Sequence, residues 1–417
     1  MATIIVVPGD PVQNEGKPEA VCYRVNKDGK SCVYATAYQL RSEEWESGKG
    51  GMTIPDEATG RKLEIITIRD YILRETDALR RTAWQQEHRY SCCTAHDIVE
   101  SFRVYMMRYK MCNLLALIEK GLRESGRIRT AQTYHTTANR LRAFLSERPI
   151  WMNGGYRDDI HIIHFTPELM LAFEGWLRGN GLVPNTVSFY MRILRAAYNR
   201  AVEEHAVDDL RPFRRVYTGM ERTVKRALSA KVIRKIRDID LEGEKEIAYA
   251  RDMFMMSFYL RGMSLVDMAS LRRSNLEGNR LTYRRSKTGQ KLTVLWTREM
   301  QALIAAYPRN DTDYLLPIIR RSSSNVHYAY RHECARINAG LKELATRIGL
   351  KGKLTMYAAR HSWASIAQMK GVPISVISKG MGHDSEKTTR IYLAELDKNV
   401  VDRANATVMK ALNSGMG

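Results

Sequence analysis

Near the C-terminal end, Tyr357-Ala-Ala-Arg360-His361-Ser-Trp-Ala is followed by Gly382-His383 and by Thr388-Thr-Arg-Ile-Tyr392-Leu, an ordered Arg/His/Tyr series that closes on a tyrosine. These residue types can break a phosphodiester without a metal. A guanidinium neutralises phosphate oxygens through a planar fork, an imidazole handles a proton near neutral pH, and a phenol hydroxyl attacks phosphorus to leave a covalent phosphotyrosyl link. A phenol titrates at about 10, so its proton must leave during attack, which neighbouring guanidiniums in a desolvated site make easier. Taken singly, each residue has an ordinary explanation, arginine as a solvated charge and tyrosine as core. It is the ordered set that carries the chemistry.

The remainder of the chain must bring a polyanion to that tyrosine. Lys+Arg 66 against Asp+Glu 46 gives a net charge of +20 and a pI near 9.7, a balance suited to nucleic acid or an anionic surface. A length of 417 residues with 44% hydrophobic residues supports two or three domains, each with its own core. No run approaches the roughly 20 apolar residues that span a bilayer, and Met1 to Pro8 is too short and lacks the basic start of a secretory signal. A cytoplasmic protein is therefore expected, with no membrane partner. Cys22, Cys32, Cys92, Cys93, Cys112 and Cys334 show no C-x-x-C spacing and read as reduced thiols, so no metal site and no cofactor are expected.

The elements that position the series are mainly α-helical with small β components, an α+β fold class. Val21-Cys-Tyr-Arg-Val25, the turn Asn26-Lys-Asp-Gly29 and Ser31-Cys-Val-Tyr-Ala-Thr36 predict a hairpin, followed by a charged helical stretch from about Gly60 to Glu87. Helical periodicity dominates from Ile98 to Val207, where Thr166-Pro-Glu has the form of a helix start and Gly179-Asn-Gly-Leu-Val-Pro184 that of a break. A basic, proline-containing link near Arg211 to Arg226 precedes a new helix start at Leu228-Ser-Ala-Lys. Beyond it, Asn279 to Trp296 reads as strand, turn at Thr288-Gly289, and strand.

The motifs Arg360-His361-Ser-Trp-Ala, Gly382-His383 and Thr389-Arg-Ile-Tyr392, with Phe254 to Leu271 and Tyr283-Arg-Arg-Ser-Lys287-Thr-Gly289, resemble the tyrosine recombinase (phage-type integrase) family over nearly the whole chain, in particular integrases of conjugative transposons and related bacterial mobile elements. The resemblance implies three parts: a small N-terminal sheet domain of arm-type DNA-binding kind at 1–97, a helical core-binding bundle at 98–215, and a mixed, mostly helical catalytic domain at 216–417. It implies Tyr392 as nucleophile, leaving a 3′-phosphotyrosyl protein and a free 5′-hydroxyl without ATP. Arg360 would grip non-bridging oxygens, His383 would hydrogen-bond the phosphate or take a proton, and Lys287 would protonate the leaving oxygen. His361 follows Arg360 directly and points about 100° away on a helix, a supporting place.

Two positions depart from the family pattern. Tyr357 stands where the family carries histidine; it can donate to a phosphate oxygen but cannot act as a cation or a base near pH 7. Ser264 stands where the first family arginine belongs, so the charge must come from Arg261, favoured for its closeness in sequence, or from Arg285, two residues before Lys287 on one strand face. The ordinary alternative for Arg261 is an ion pair with Asp267 or a plain contact to a DNA phosphate. Arg192, Arg195, Lys225, Arg226, Arg284, Arg320 and Arg321 read as grips on the DNA backbone, since most protein–DNA hydrogen bonds go to phosphate and sugar. The expected partners are double-stranded DNA, three further copies in a homotetramer that passes through a Holliday junction, and a host DNA-bending protein or excision factor. Alternatives of other classes are a DNA-binding protein of the same fold with weakened catalysis and a type IB-like topoisomerase.

Overall fold

In the computed structural model of the protein, which describes residues 1–9, 18–46, 51–54, 60–221, 227–308, 311–320, 326–392 and 409, Asp28 and Gly29 take positive φ (50° and 73°) and close the expected hairpin. A further strand adds to it. β1 (Thr3–Pro8), β2 (Glu19–Lys27) and β3 (Lys30–Leu40) form an antiparallel sheet in that order, with Val6, Tyr23 and Tyr34 in register. The minimal strands β4 (Trp45–Glu46) and β5 (Gly51–Met52) pair with each other before the long helix α1 (Gly60–Arg89).

Five helices follow: α2 (Ala95–Arg108), α3 (Met111–Glu124), α4 (Ile128–Ser146), α5 (Pro167–Gly179) and α6 (Pro184–Glu203). Thr94 and Thr166 cap α2 and α5 through their hydroxyls, and Pro167 and Pro184 occupy first turns where a missing N–H costs nothing. These elements form one compact unit, Met1–Arg222, with a single apolar core running from Val21 to Val216. Inside it, the buried carboxylate of Glu75 on α1 accepts from Tyr23 Oη (2.7 Å), Tyr38 Oη (2.6 Å) and His164 Nε2 (2.9 Å), binding sheet, helix and bundle segment together. Burial, reinforced by that carboxylate, holds both phenols well above their usual range.

The second unit, Thr223–Gly417, begins its described part with α7 (Ala230–Asp238), capped by Ser229, then α8 (Lys245–Tyr259) and α9 (Leu265–Ser270). A three-stranded antiparallel sheet, β6 (Leu276–Glu277), β7 (Arg280–Arg284) and β8 (Lys291–Leu295), precedes α10 (Arg298–Ala305) and α11 (Val326–Arg347). Its core is centred on α8, whose Tyr249, Met253, Phe254 and Met256 are buried with Ile337, Leu341 and Leu344 of α11. Then come α12 (Met356–Met369), α13 (Ile374–Met381) and α14 (Glu386–Tyr392), the helices that carry the C-terminal series. Among the described residues no helix is long and apolar enough to cross a membrane.

Candidate active site

Arg360 lies on α12 in the interior of the second unit, only 4% exposed. A guanidinium at that depth needs acceptors, and among the described residues Nη1 donates to the Gly262 carbonyl (2.7 Å), and Nη2 to the Met381 carbonyl (2.7 Å) and to His383 Nε2 (2.9 Å). The first acceptor depends on an unusual turn. After α8 the chain passes through Arg261 (φ 60°) and Gly262 (φ 72°), both left-handed, and packs its backbone against Arg360 itself. A Cβ on Gly262 would stand 2.5 Å from the Arg360 Cα, so only glycine permits the approach.

His383 is buried and follows the left-handed cap Gly382 at the end of α13. Since Arg360 can only donate, Nε2 is the acceptor and the ring proton sits on Nδ1, from where it is donated to Thr389 Oγ1 at 2.7 Å. Thr389 belongs to α14, one turn before its last residue, Tyr392. Burial, and after it the charges of Arg360, Arg285 and Lys287, push the imidazole down to about 4. The free protein thus holds a neutral histidine, with its basic nitrogen turned to a guanidinium.

Arg285 meets the same segment from the sheet. Its Nη1 donates to the Gly382 carbonyl, and its side chain is 8% exposed. The strand-face argument for Arg285 fails in detail, because β7 stops at Arg284 and the next residues form the turn. Arg285 turns inward while Lys287 is exposed. What brings Arg285 in is its own backbone, whose N–H donates to the Gln290 carbonyl and whose carbonyl accepts from Gly289. Arg261, half-buried, approaches from a third side: a Cβ placed on Gly380 would stand 3.7 Å from its Cδ. Three arginines therefore converge on Gly380 to His383. Tyr283, buried on β7, feels all three, each drawing its phenol down against the burial that raises it to about 12. Sequence reasoning missed Tyr283, because one buried tyrosine on a strand gives no sign of what it faces.

No ion pair formed among the described residues joins Arg261 to Asp267. Asp267 instead accepts from Ser264 Oγ (2.6 Å) and from the Ser286 N–H (2.8 Å). Ser264 caps α9, and Asp267 fastens that helix to the turn that carries Lys287. Ser264 is thus a structural anchor. Tyr357 is 51% exposed and meets the His361 ring edge-on at 4.8 Å, so the two form a pair beside Arg360 on α12.

The grips suggested by sequence are dispersed. Arg192 and Arg195 are exposed on α6, and Arg192 Nε donates to the Ser188 carbonyl (3.4 Å). Arg284 is exposed on β7. Arg320 stacks over Tyr249 at 4.9 Å and donates to the Pro317 carbonyl, a packed role. Lys225, Arg226 and Arg321 lie outside the described residues. No group of three or more His, Cys, Asp or Glu among the described residues could hold a metal.

Two family profiles match the chain. The profile of the Phage integrase family matches residues 226–399, and that of the Phage integrase SAM-like domain matches residues 113–214. The chain belongs to the tyrosine recombinase (phage integrase) family and is a site-specific recombinase. Tyrosine recombinase XerA of Pyrococcus furiosus is 27% identical over 244 residues, 56% of this chain and 79% of that protein; XerA of Thermococcus kodakarensis is 24% identical over 234 residues, 53% and 75%. The Tn1549 transposon integrase, solved in complex with a circular intermediate DNA, shares the fold with a TM-score of 0.53 at 15% identity, over 71% of this chain and 98% of that one.

Proposed function

We propose that the protein integrates and excises a bacterial mobile element, cutting and rejoining DNA through a 3′-phosphotyrosyl bond to Tyr392. The observation that supports this most is the convergence of Arg261, Arg285 and Arg360 on the segment Gly380 to His383, one short helix before Tyr392. Such a cluster is suited to the charge of a pentacoordinate phosphate, which preorganised donors stabilise more than the ground state. In this reading Arg360 and Arg285 bind the non-bridging oxygens, Arg285 replacing the first family arginine. Arg261 adds field from behind, and Tyr357 and His361 hold the flank.

His383, neutral with a free-protein value of about 4, is suited to orient a phosphate oxygen and not to serve as a standing cation; a base that weak takes a proton only when the bound phosphate's charge raises its value. Lys287, on its exposed turn, delivers the proton to the leaving 5′-oxygen.

The three-part division 1–97, 98–215 and 216–417 gives the division of labour: arm-type reader, core-site binder, catalyst. Residues 1–97 carry slightly more Asp and Glu than Lys and Arg, so the grip on phosphate belongs to the other two parts, including Arg192, Arg195, Arg284, Lys225 and Arg226. Like the Tn1549 integrase, the protein acts on a circular DNA intermediate. It works as a tetramer on two duplexes in the bacterial cytoplasm, helped by a host bending protein or excision factor.

A nicked duplex carrying the attachment sequence tests the assignment, because the cut fragment diffuses away and traps the covalent adduct. Wild-type protein forms an adduct stable to denaturant. Tyr392→Phe forms none; an undiminished adduct with that variant sinks the proposal.

A further inference from the structure

Gln290 stands just before β8, and its backbone carbonyl accepts from the Arg285 N–H at 2.9 Å, so the two residues face each other across the hairpin. The Arg285 side chain is buried and that of Gln290 half-buried. Gln290 Oε1 is shielded from water and accepts from no donor among the described residues. A buried acceptor left without a donor lowers the stability of the free protein, and each such atom calls for a partner.

Beside it stands a guanidinium with donors to spare. Gln290 Oε1 and Arg285 Cδ each lie 3.2 Å from the position that a Cβ on Gly382 would take, so the carboxamide and the stem of the arginine flank the same glycine. Arg285 Nη1 donates to the Gly382 carbonyl, while Nε and Nη2 have no acceptor among the described residues. The free protein thus keeps an empty acceptor next to an arginine fixed at one point. A single bond lets the guanidinium plane rock about it; a second, through Nε, sets the plane and with it the direction of the remaining donors.

We infer that Gln290 is a positioning residue for Arg285: when the scissile phosphate enters, Oε1 accepts from Nε, Nη1 stays on the Gly382 carbonyl, and Nη2 is presented to a non-bridging oxygen. The inference rests on the recombinase reading and adds to it the residue that orients the arginine assigned to the first family position. Gln290 touches no reacting atom and acts only through the plane of its neighbour.

The full chain tests it on a nicked duplex carrying the attachment sequence, with the rate of adduct formation read at saturating protein and the affinity read separately. Gln290→Met keeps the length of the side chain and removes the acceptor. It should lower the rate about tenfold and leave the affinity within about twofold. Its melting temperature should be unchanged or raised, because an orphaned acceptor has gone, which separates the effect from misfolding. A methylphosphonate at the cut replaces one charged non-bridging oxygen by a methyl group and relaxes the need for a guanidinium there. One of its two stereoisomers should relieve the defects of Arg285→Ala and of Gln290→Met together. Adding Gln290→Met to Arg285→Ala should change the rate by less than about twofold, as for residues that act as a unit.

A Gln290→Met rate within about twofold of wild type, a Gln290→Met defect that neither stereoisomer relieves, or a further loss of more than about twofold on top of Arg285→Ala overturns the inference. Any of these beside a normal wild-type adduct overturns this inference alone. A wild type that forms no adduct overturns the recombinase reading, and the role of Gln290 with it.

Discussion

Arg360 and Arg285 donate to consecutive carbonyls, Met381 and Gly382, of the turn that ends α13 and presents His383. Two guanidiniums from a helix and a sheet hairpin are thereby held side by side on backbone acceptors. Arg285→Ala should lower adduct formation on a nicked substrate by about 10²–10³-fold, the usual cost of one oxyanion donor, while Arg261→Ala lowers it less than about tenfold. Arg285→Lys should recover only part of the rate, because an ammonium cannot reproduce the fork. The reverse order of the two alanine variants would move the first-arginine role to Arg261.

Gly262 and Gly289 both have positive φ, 72° and 70°, but only Gly262 abuts another backbone; a Cβ on Gly289 meets nothing within 4 Å. Gly289→Ala should therefore cost about 1 kcal/mol of conformational strain. Gly262→Ala adds overlap with the Arg360 backbone and should cost about 3 kcal/mol or more. Denaturant melts of the two variants check the difference. Gly262→Ala should also depress adduct formation, since the carbonyl that fixes Arg360 must shift.

His383 has its imidazole value lowered to about 4, against about 6.5 in an unfolded chain. Below pH 6.5 the unfolded chain takes up a proton that the folded protein refuses, so stability falls as pH drops from about 6.5 toward 4 and is flat above 7 as far as this group is concerned. His383→Gln should reduce that slope in pH-dependent denaturant melts. The second-order rate of adduct formation, which reports the free enzyme, should show no inflection near 6.5 that His383→Gln removes.

Asp267 ties Ser264 on α9 to the N–H of Ser286 beside Lys287. Asp267→Ala should destabilise the second unit by about 1–3 kcal/mol, since it strands a donor and loosens a cap. Its rate defect should resemble that of Lys287→Ala, and a leaving group of low pKa, such as a bridging 5′-thiolate, should rescue both, because it needs no proton. Rescue of Lys287→Ala alone would show that Asp267 does not position the lysine.

Glu75 satisfies three buried donors at once, from Tyr23, Tyr38 and His164. Glu75→Ala should cost about 3–5 kcal/mol, and Glu75→Gln distinctly less, in thermal melts of the full chain.

Local signals were legible. The hairpin around Asp28-Gly29, the Thr166 cap with Pro167 and the Ser229 cap all follow from residues within one turn of each other. The C-terminal series was legible as a motif, although neither Arg360 nor His383 announces in sequence that one donates to the other. What sequence could not supply was contact over long separation. Gly262 meets Arg360 98 residues later, a relation that no period or cap encodes. Arg285 was accessible only as an alternative, and by a strand-face argument that ends at Arg284; the bonds to Gln290 and Gly289 turn it inward instead. β1 went unseen because Thr3 to Pro8 earns its place only by pairing with residues near position 25.

Ser362, two residues after Arg360, spends its hydroxyl on both sides. It accepts from the Leu228 N–H (2.8 Å), where the chain enters the second unit, and donates to the Ala358 carbonyl (2.7 Å) of its own helix. The incoming strand of polypeptide is thus stitched to the shaft that carries the phosphate-binding arginine. One hydroxyl therefore serves both the residue that leads into α7 and the helix that carries Arg360, so its loss would loosen the two together.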